Sequence, residues 1–176
     1  MRTVILKTAA IAALSTVALT GCGSSQSAKA EAGIVSSLDK GASSFPFTWN
    51  DTASKCAAHT IVSGVGVKQL QNYGLIDSSG NVGSKSVTDV NLSTQDATTV
   101  AGALVDCSNG AAMTYFKSKA DGGITGAPAA TVKCVDAYIT RAHVMPMLTD
   151  MLDGKSAQAQ PDFENGLKTA CLSTFK

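Results

Sequence analysis

The sequence predicts an all-α fold: a small helical bundle built from two disulfide-stapled helical hairpins, preceded by a signal peptide and a flexible tether. Three observations carry this expectation. Apolar residues recur at helical spacing, most clearly at Ala97, Val100, Ala101 and Leu104, which fall at i, i+3, i+4 and i+7 on one face. The chain is poor in aromatics, at 5% with Trp49 its single tryptophan, while Ala, Val and Leu are plentiful, so the core is built from small side chains. Finally, Cys56, Cys107, Cys134 and Cys171 bracket two similar stretches of helical pattern.

Residues 1–21 carry the parts of an export signal. Arg2 and Lys7 form a basic start, and Ala9 to Leu19 is an apolar run. Eleven helical residues span only about 16 Å, well short of a ~30 Å hydrocarbon core, which argues against a permanent span. The run ends in Leu19-Thr20-Gly21-Cys22, which resembles the lipobox of bacterial lipoproteins. That resemblance implies cleavage before Cys22 and a diacylglyceryl group on its sulfur. Each buried methylene adds about 0.8 kcal/mol, so two long chains anchor firmly. The expected location is the extracytoplasmic face of the cell membrane.

Gly23 to Gly33 has no bulky apolar residue, so residues 22–33 read as the lipidated cysteine and a flexible tether reaching roughly 18 Å. Without Arg2 and Lys7 the chain has 12 basic against 13 acidic side chains. No polybasic patch remains to meet nucleic acid or anionic lipid. The membrane is then reached through the lipid alone.

Residues 34–176 are enough for one domain, divided into 34–123 and 124–176. Phe45, Phe47 and Trp49 precede the first helix and are expected to fold over the core as a staple, with an exposed partner-binding patch as the alternative. Asn50 caps a helix from Asp51, which Gly64-Val65-Gly66 breaks. Val67 to Tyr73 forms a short helix closed by Gly74. Ile76 to Asn91 reads as a loop with a brief extended piece at Val87 to Val90. Ser93 and Asp96 form a capping box for the helix that runs into Cys107, and Asn109 to Lys119 continues helically. In the second half, Cys134 lies early in a helix with Val132, Val135 and Ile139. Pro146 and Pro161 are each expected to open a helix as its first residue, and Gly154 closes the former.

Aligned without gaps, Gly102–Cys107 lies over Gly166–Cys171, and Lys55–Ala58 over Lys133–Asp136. Each half then has a cysteine near one helix start and another at a later helix end. In an antiparallel pair those ends are neighbours, within the 4.4–6.8 Å that a disulfide spans. The expected bridges are Cys56–Cys107 and Cys134–Cys171. Free buried thiols and bridges between halves are the alternatives.

Cys56-Ala-Ala, Ile61-Val62, Gly66, Leu70 and Gly74-Leu75, followed by an acid-capped helix ending in Cys107, resemble small exported helical proteins of actinobacteria. That resemblance implies the fold and assigns no activity.

Chemistry-bearing patterns are sparse. Gly64-Val65-Gly66 lacks the third glycine and the preceding strand of a dinucleotide loop. Ser63 lacks a nucleophile elbow, and there is no HExxH. Cys56 and His59 sit one turn apart, but a bridged Cys56 has no thiolate to offer. His143, Met145 and Met147, with Met151 and Met113, offer soft ligands that suit Cu(I). Core packing explains the methionines more simply, so no metal or other cofactor is expected. The expected function is a lipid-anchored, non-catalytic envelope protein, not an enzyme, that binds an envelope protein or a small ligand. Extracytoplasmic copper or other soft-metal binding is the alternative. The most informative observation is whether the helices enclose a cavity, and whether polar or apolar side chains line it.

Overall fold

The computed structural model describes residues 22–39 and 47–171. The signal segment 1–21 and Phe45 lie outside them. Every regular element among the described residues is helical except an isolated antiparallel bridge between Ile76 and Val82. The helices are α1 (Cys22–Asp39), α2 (Asp51–Val65), α3 (Val67–Tyr73), α4 (Thr94–Asp106), α5 (Ala111–Gly123), α6 (Ala129–Tyr138), α7 (Arg141–Leu152) and α8 (Ser156–Cys171). None is long and apolar enough to cross a membrane.

The segment expected to be a flexible tether is instead the first two thirds of α1. Its Ala28, Lys29, Ala30, Glu31 and Ala32 are strong helix formers. Ala30, Ile34 and Leu38, at i, i+4 and i+8, form a stripe that packs into the core. That stripe crosses the boundary at residue 33, so neither side of it looks amphipathic alone. Ser54, fully buried in α2, donates to the Asp39 carboxylate and to the Asn50 carbonyl, 3.0 Å away, which ties the end of α1 to the start of α2.

α2 starts where Asn50 accepts the Ala53 N–H at 2.9 Å and stops at Gly66. α3 ends on Gly74, whose φ of 75° is left-handed and comfortable only for glycine. Ser93 caps α4 through the Asp96 N–H. The cap is braced from outside: the Tyr73 hydroxyl donates to Asp96 Oδ2 (2.7 Å) and accepts the Ser93 N–H (2.9 Å).

Several boundaries differ from expectation. α5 begins at Ala111 because Asn109 and Gly110 are both left-handed, with φ of 50° and 84°. The piece at 87–90 is a 3₁₀ turn, Val87–Asp89, closed where the Asp89 carboxylate accepts the Ser86 N–H. Pro146 and Pro161 do not open helices; each is the sixth residue of one. A proline there forfeits one i→i−4 bond near the helix start. Tertiary burial outweighs that loss in α7, where Val144, Leu148 and Leu152 form a buried stripe, and in α8 through Ala159 and Cys171.

Neighbours pack in the order α1, α2, α4, α7, α8, α6, with α3 against α1 and α2 and α5 between α4 and α6. One hydrophobic core runs through both halves, from Ala30 and Trp49 to Leu152 and Cys171. Trp49 is buried in it and Phe47 is half-buried, with ring centroids 5.2 Å apart and Tyr115 6.2 Å beyond Phe47. These two aromatics therefore cover the core.

Both expected bridges form: Cys56–Cys107 and Cys134–Cys171, with Cα separations of 5.5 and 5.8 Å. Each joins the sixth residue of a trio's first helix to the end of its third, α2 to α4 and α6 to α8. The staples thus close trios, with α3 and α7 in the middle places. Between the halves, Arg141 donates two hydrogen bonds to Asp106, at 2.7 and 2.8 Å.

Two outcomes follow. Chain entropy for 51 residues of separation gives about 4 kcal/mol, so the Cys56→Ala, Cys107→Ala pair is expected to lower urea-unfolding stability by about 2–4 kcal/mol. Hydrogen bonds from the Arg141 guanidinium hold the Asp106 carboxyl below its usual range, desolvation opposing. This contribution is present above the ordinary carboxylate pKa near 4 and is lost as pH falls through the lowered value. Both side chains are half-exposed or more, so the effect is small and salt-sensitive. The stability gap between wild type and Asp106→Asn, read by thermal melts across pH, should close below about pH 4.

Candidate functional site

A cavity of about 340 Å³ lies between α1, α2, α3, α4 and the segment 75–87. Its walls come from helical stripes: Ile34 and Leu38 of α1, Ile61 of α2, Leu70 of α3, and Val100 and Leu104 of α4. The fourth side is not helical. After Gly74 the chain reverses through Leu75 and Ile76, turns at Asp77–Asn81, and returns through Val82 and Gly83.

That reversal is locally encoded. Asp77 Oδ1 accepts the N–H groups of Ser79 (2.8 Å) and Asn81 (2.9 Å), and Oδ2 accepts the Asn81 amide (3.0 Å). These bonds hold the Asp77 carboxyl below its usual range, the Asn81 side chain contributing most. Asp-Ser-Ser-Gly-Asn between two apolar residues is a turn signal, and it brings Ile76 back against Val82. The Gly83 N–H donates to the Leu75 carbonyl at 2.8 Å. A Cβ on Gly83 would overlap the Gly74 carbonyl oxygen, so only glycine permits this approach.

The hairpin also leans on α1. The Gln26 side-chain amide donates to the Ser78 carbonyl at 3.0 Å. Gly33 lets Val82 come so near that a Cβ would sit 2.7 Å from Val82 Cγ2. α1 and the hairpin thus form one side of the cavity, and α2 with α4 the other.

The lining is mostly apolar. Its polar side chains are Ser37, Ser84, Ser86 and Lys85, and Lys85 is the one charged residue. The Lys85 stem lies over Gly74, with its Cδ 3.4 Å from where a Cβ would be. The lysine is exposed, as is Val82 at 41%. A second, shallow depression outside the hairpin shares Ser37 and Val82 and has Lys29 as its charged residue.

The residues singled out from sequence lie elsewhere. Cys22 is the first residue of α1. Cys56 is bridged, and His59 faces Glu31 at 3.1 Å across α1 and α2. The His143 Nδ1–H donates to the Tyr138 carbonyl at 2.7 Å, and its ring stacks on Tyr138 with centroids 4.0 Å apart. Met147 is buried in the core, whereas Met145 leaves α7 about 200° round from it and from His143 and packs toward Gly102 on α4. These three side chains do not converge. Met113 packs against the core, and Met151 is 42% exposed.

Comparison with protein-family models, curated proteins and solved structures finds no match. Sequence alone does not reveal the cavity, because its walls are far apart in the chain. Two local signals do point to it: the Ala30, Ile34, Leu38 stripe and the turn residues between Ile76 and Val82.

Gly83→Ala tests the non-helical wall. The clash with the Gly74 carbonyl should force the two strands of the reversal apart, costing about 1–3 kcal/mol in denaturant unfolding, whereas Gly122→Ala, with open space around it, should not destabilise.

Proposed function

We propose that this is a lipid-anchored, non-catalytic envelope protein, held through Cys22 at the extracytoplasmic face of the cell membrane, whose helical domain binds a small ligand with an apolar body. The observation that carries the binding reading is the cavity itself. It has the volume of a small-ligand site and an apolar lining with few polar groups, the pattern by which such sites orient a bound molecule. Among the two expected kinds of partner, a concave, partly open cavity with an apolar lining favours a small ligand over another protein.

The export reading draws on the apolar run that ends in Leu19-Thr20-Gly21-Cys22. The two disulfides support it, since such bridges persist in oxidising compartments. The non-catalytic reading is supported by how the nucleophile and base candidates are engaged: Cys56 in a bridge, His59 with Glu31, and His143 with Tyr138.

Two measurements test this. The neutral dye N-phenyl-1-naphthylamine should gain fluorescence with the full chain, and Ser37→Phe, which projects a ring from half-buried α1 into the cavity, should weaken it tenfold or more. Equal titration of both proteins would remove the cavity from the account. Intact mass of membrane-fraction protein should show diacylglyceryl on Cys22, and an unmodified Cys22 would remove the anchor.

A further inference from the structure

We infer that the ligand of this cavity is an amphipathic monocarboxylate of about ten carbons, its chain among the apolar walls and its carboxylate at Lys85. The inference rests on the cavity reading above and adds the ligand's shape and charge. Size comes first. At roughly 30 Å³ per heavy atom, the share of a water molecule in the liquid, 340 Å³ holds a chain of about ten atoms. An engineered cavity of about 150 Å³ is enough for benzene, so this one is too large for a single small ring to fill.

Charge comes next. Lys85 is the one charged side chain in the lining, and no ion-pair partner is seen for it among the described residues. The nearby acids are committed elsewhere: Asp89 accepts the Ser86 N–H, and Asp39 accepts from Ser54. The depression that shares Ser37 and Val82 with the cavity also has a lysine and no acid. The Lys85 methylenes run along Gly74, with Cδ 3.4 Å from where a Cβ would be, and the residue lines the cavity while staying exposed, as a long cationic side chain can. A carboxylate there makes a charge-assisted hydrogen bond, with the Ser84 and Ser37 hydroxyls among the lining groups. A cationic head is repelled by the ammonium, and a neutral hydroxyl accepts its hydrogen bond without the ion pair.

The test uses the full chain carrying Cys22→Ala, which removes the attachment point for lipid and leaves the cavity residues in place. Decanoate, decanol and decyltrimethylammonium are titrated by calorimetry against this chain and against its Lys85→Met, Lys29→Met and Ser37→Phe derivatives. The expected result is decanoate tightest, a loss of about tenfold for decanoate alone in Lys85→Met, little change in Lys29→Met, and loss of both decanoate and decanol in Ser37→Phe. Decanol binding as tightly as decanoate, with Lys85→Met changing neither, overturns the carboxylate assignment and leaves the apolar cavity reading standing. The assignment also fails if decyltrimethylammonium matches decanoate, or if Lys29→Met carries the loss. Failure of all three ligands while N-phenyl-1-naphthylamine still binds overturns the assignment alone, and failure of the dye as well removes both readings. Lipidated wild-type protein that refuses decanoate while the Cys22→Ala chain accepts it gives the cavity to the protein's own acyl group and overturns the assignment.

Discussion

The Cys56–Cys107 bridge sets α2 against α4, and the other helices are placed by that pair. α1 and α3 pack on α2, α7 and α5 pack on α4, and α8 and α6 follow from α7. The need for a covalent link here is written in the residues. The buried face of α2 is Ala53, Ser54, Ala57 and Ala58 before Ile61 and Val62. Alanines let helices approach closely, but each buries little surface, and hydrophobic stabilisation scales with buried area. A bridge near one end of the pair supplies by constraint on the unfolded chain what small side chains do not supply by burial.

The same economy of side chains produces the cavity. Ile61, Val100 and Leu104 of α2 and α4 share the cavity with Ile34 and Leu38 of α1, and the small Ser37 between those two leaves space unfilled. The reversal after α3 fills the gap with backbone instead of bulk. Its polar groups are satisfied within the turn by Asp77, and its apolar residues, Ile76 and Val82, face each other. A wall built this way bounds the cavity without packing it shut.

What is legible in the sequence is what is encoded locally. α2, α3 and α4 carry their own caps, Asn50, Gly74 and Ser93, and their own apolar stripes. The cysteine pairing is legible because its repeat is a matter of spacing. α1 escapes a local reading because its stripe mixes one alanine with two larger residues across the boundary expected at residue 33. The starts of α7 and α8 are misplaced because proline is a strong local signal for a helix start, whereas the buried stripe around Val144 and Leu148 is a tertiary one. The cavity is beyond reach for a related reason: Ile34, Leu70, Val82 and Leu104 share no local pattern, and only the fold brings them together.

Neither disulfide touches α1 or the reversal at 75–83. One jaw of the cavity is therefore riveted, and the opposing jaw is held to it by side-chain packing, the Ser54–Asp39 hydrogen bond and the pairing of His59 with Glu31. If the cavity takes a ligand as proposed, strain from a bulkier one would fall on the side without a covalent link, while the bridged α2–α4 pair kept its form. Under the proposed binding function, such a vice would take guests of differing width without disturbing the frame behind it.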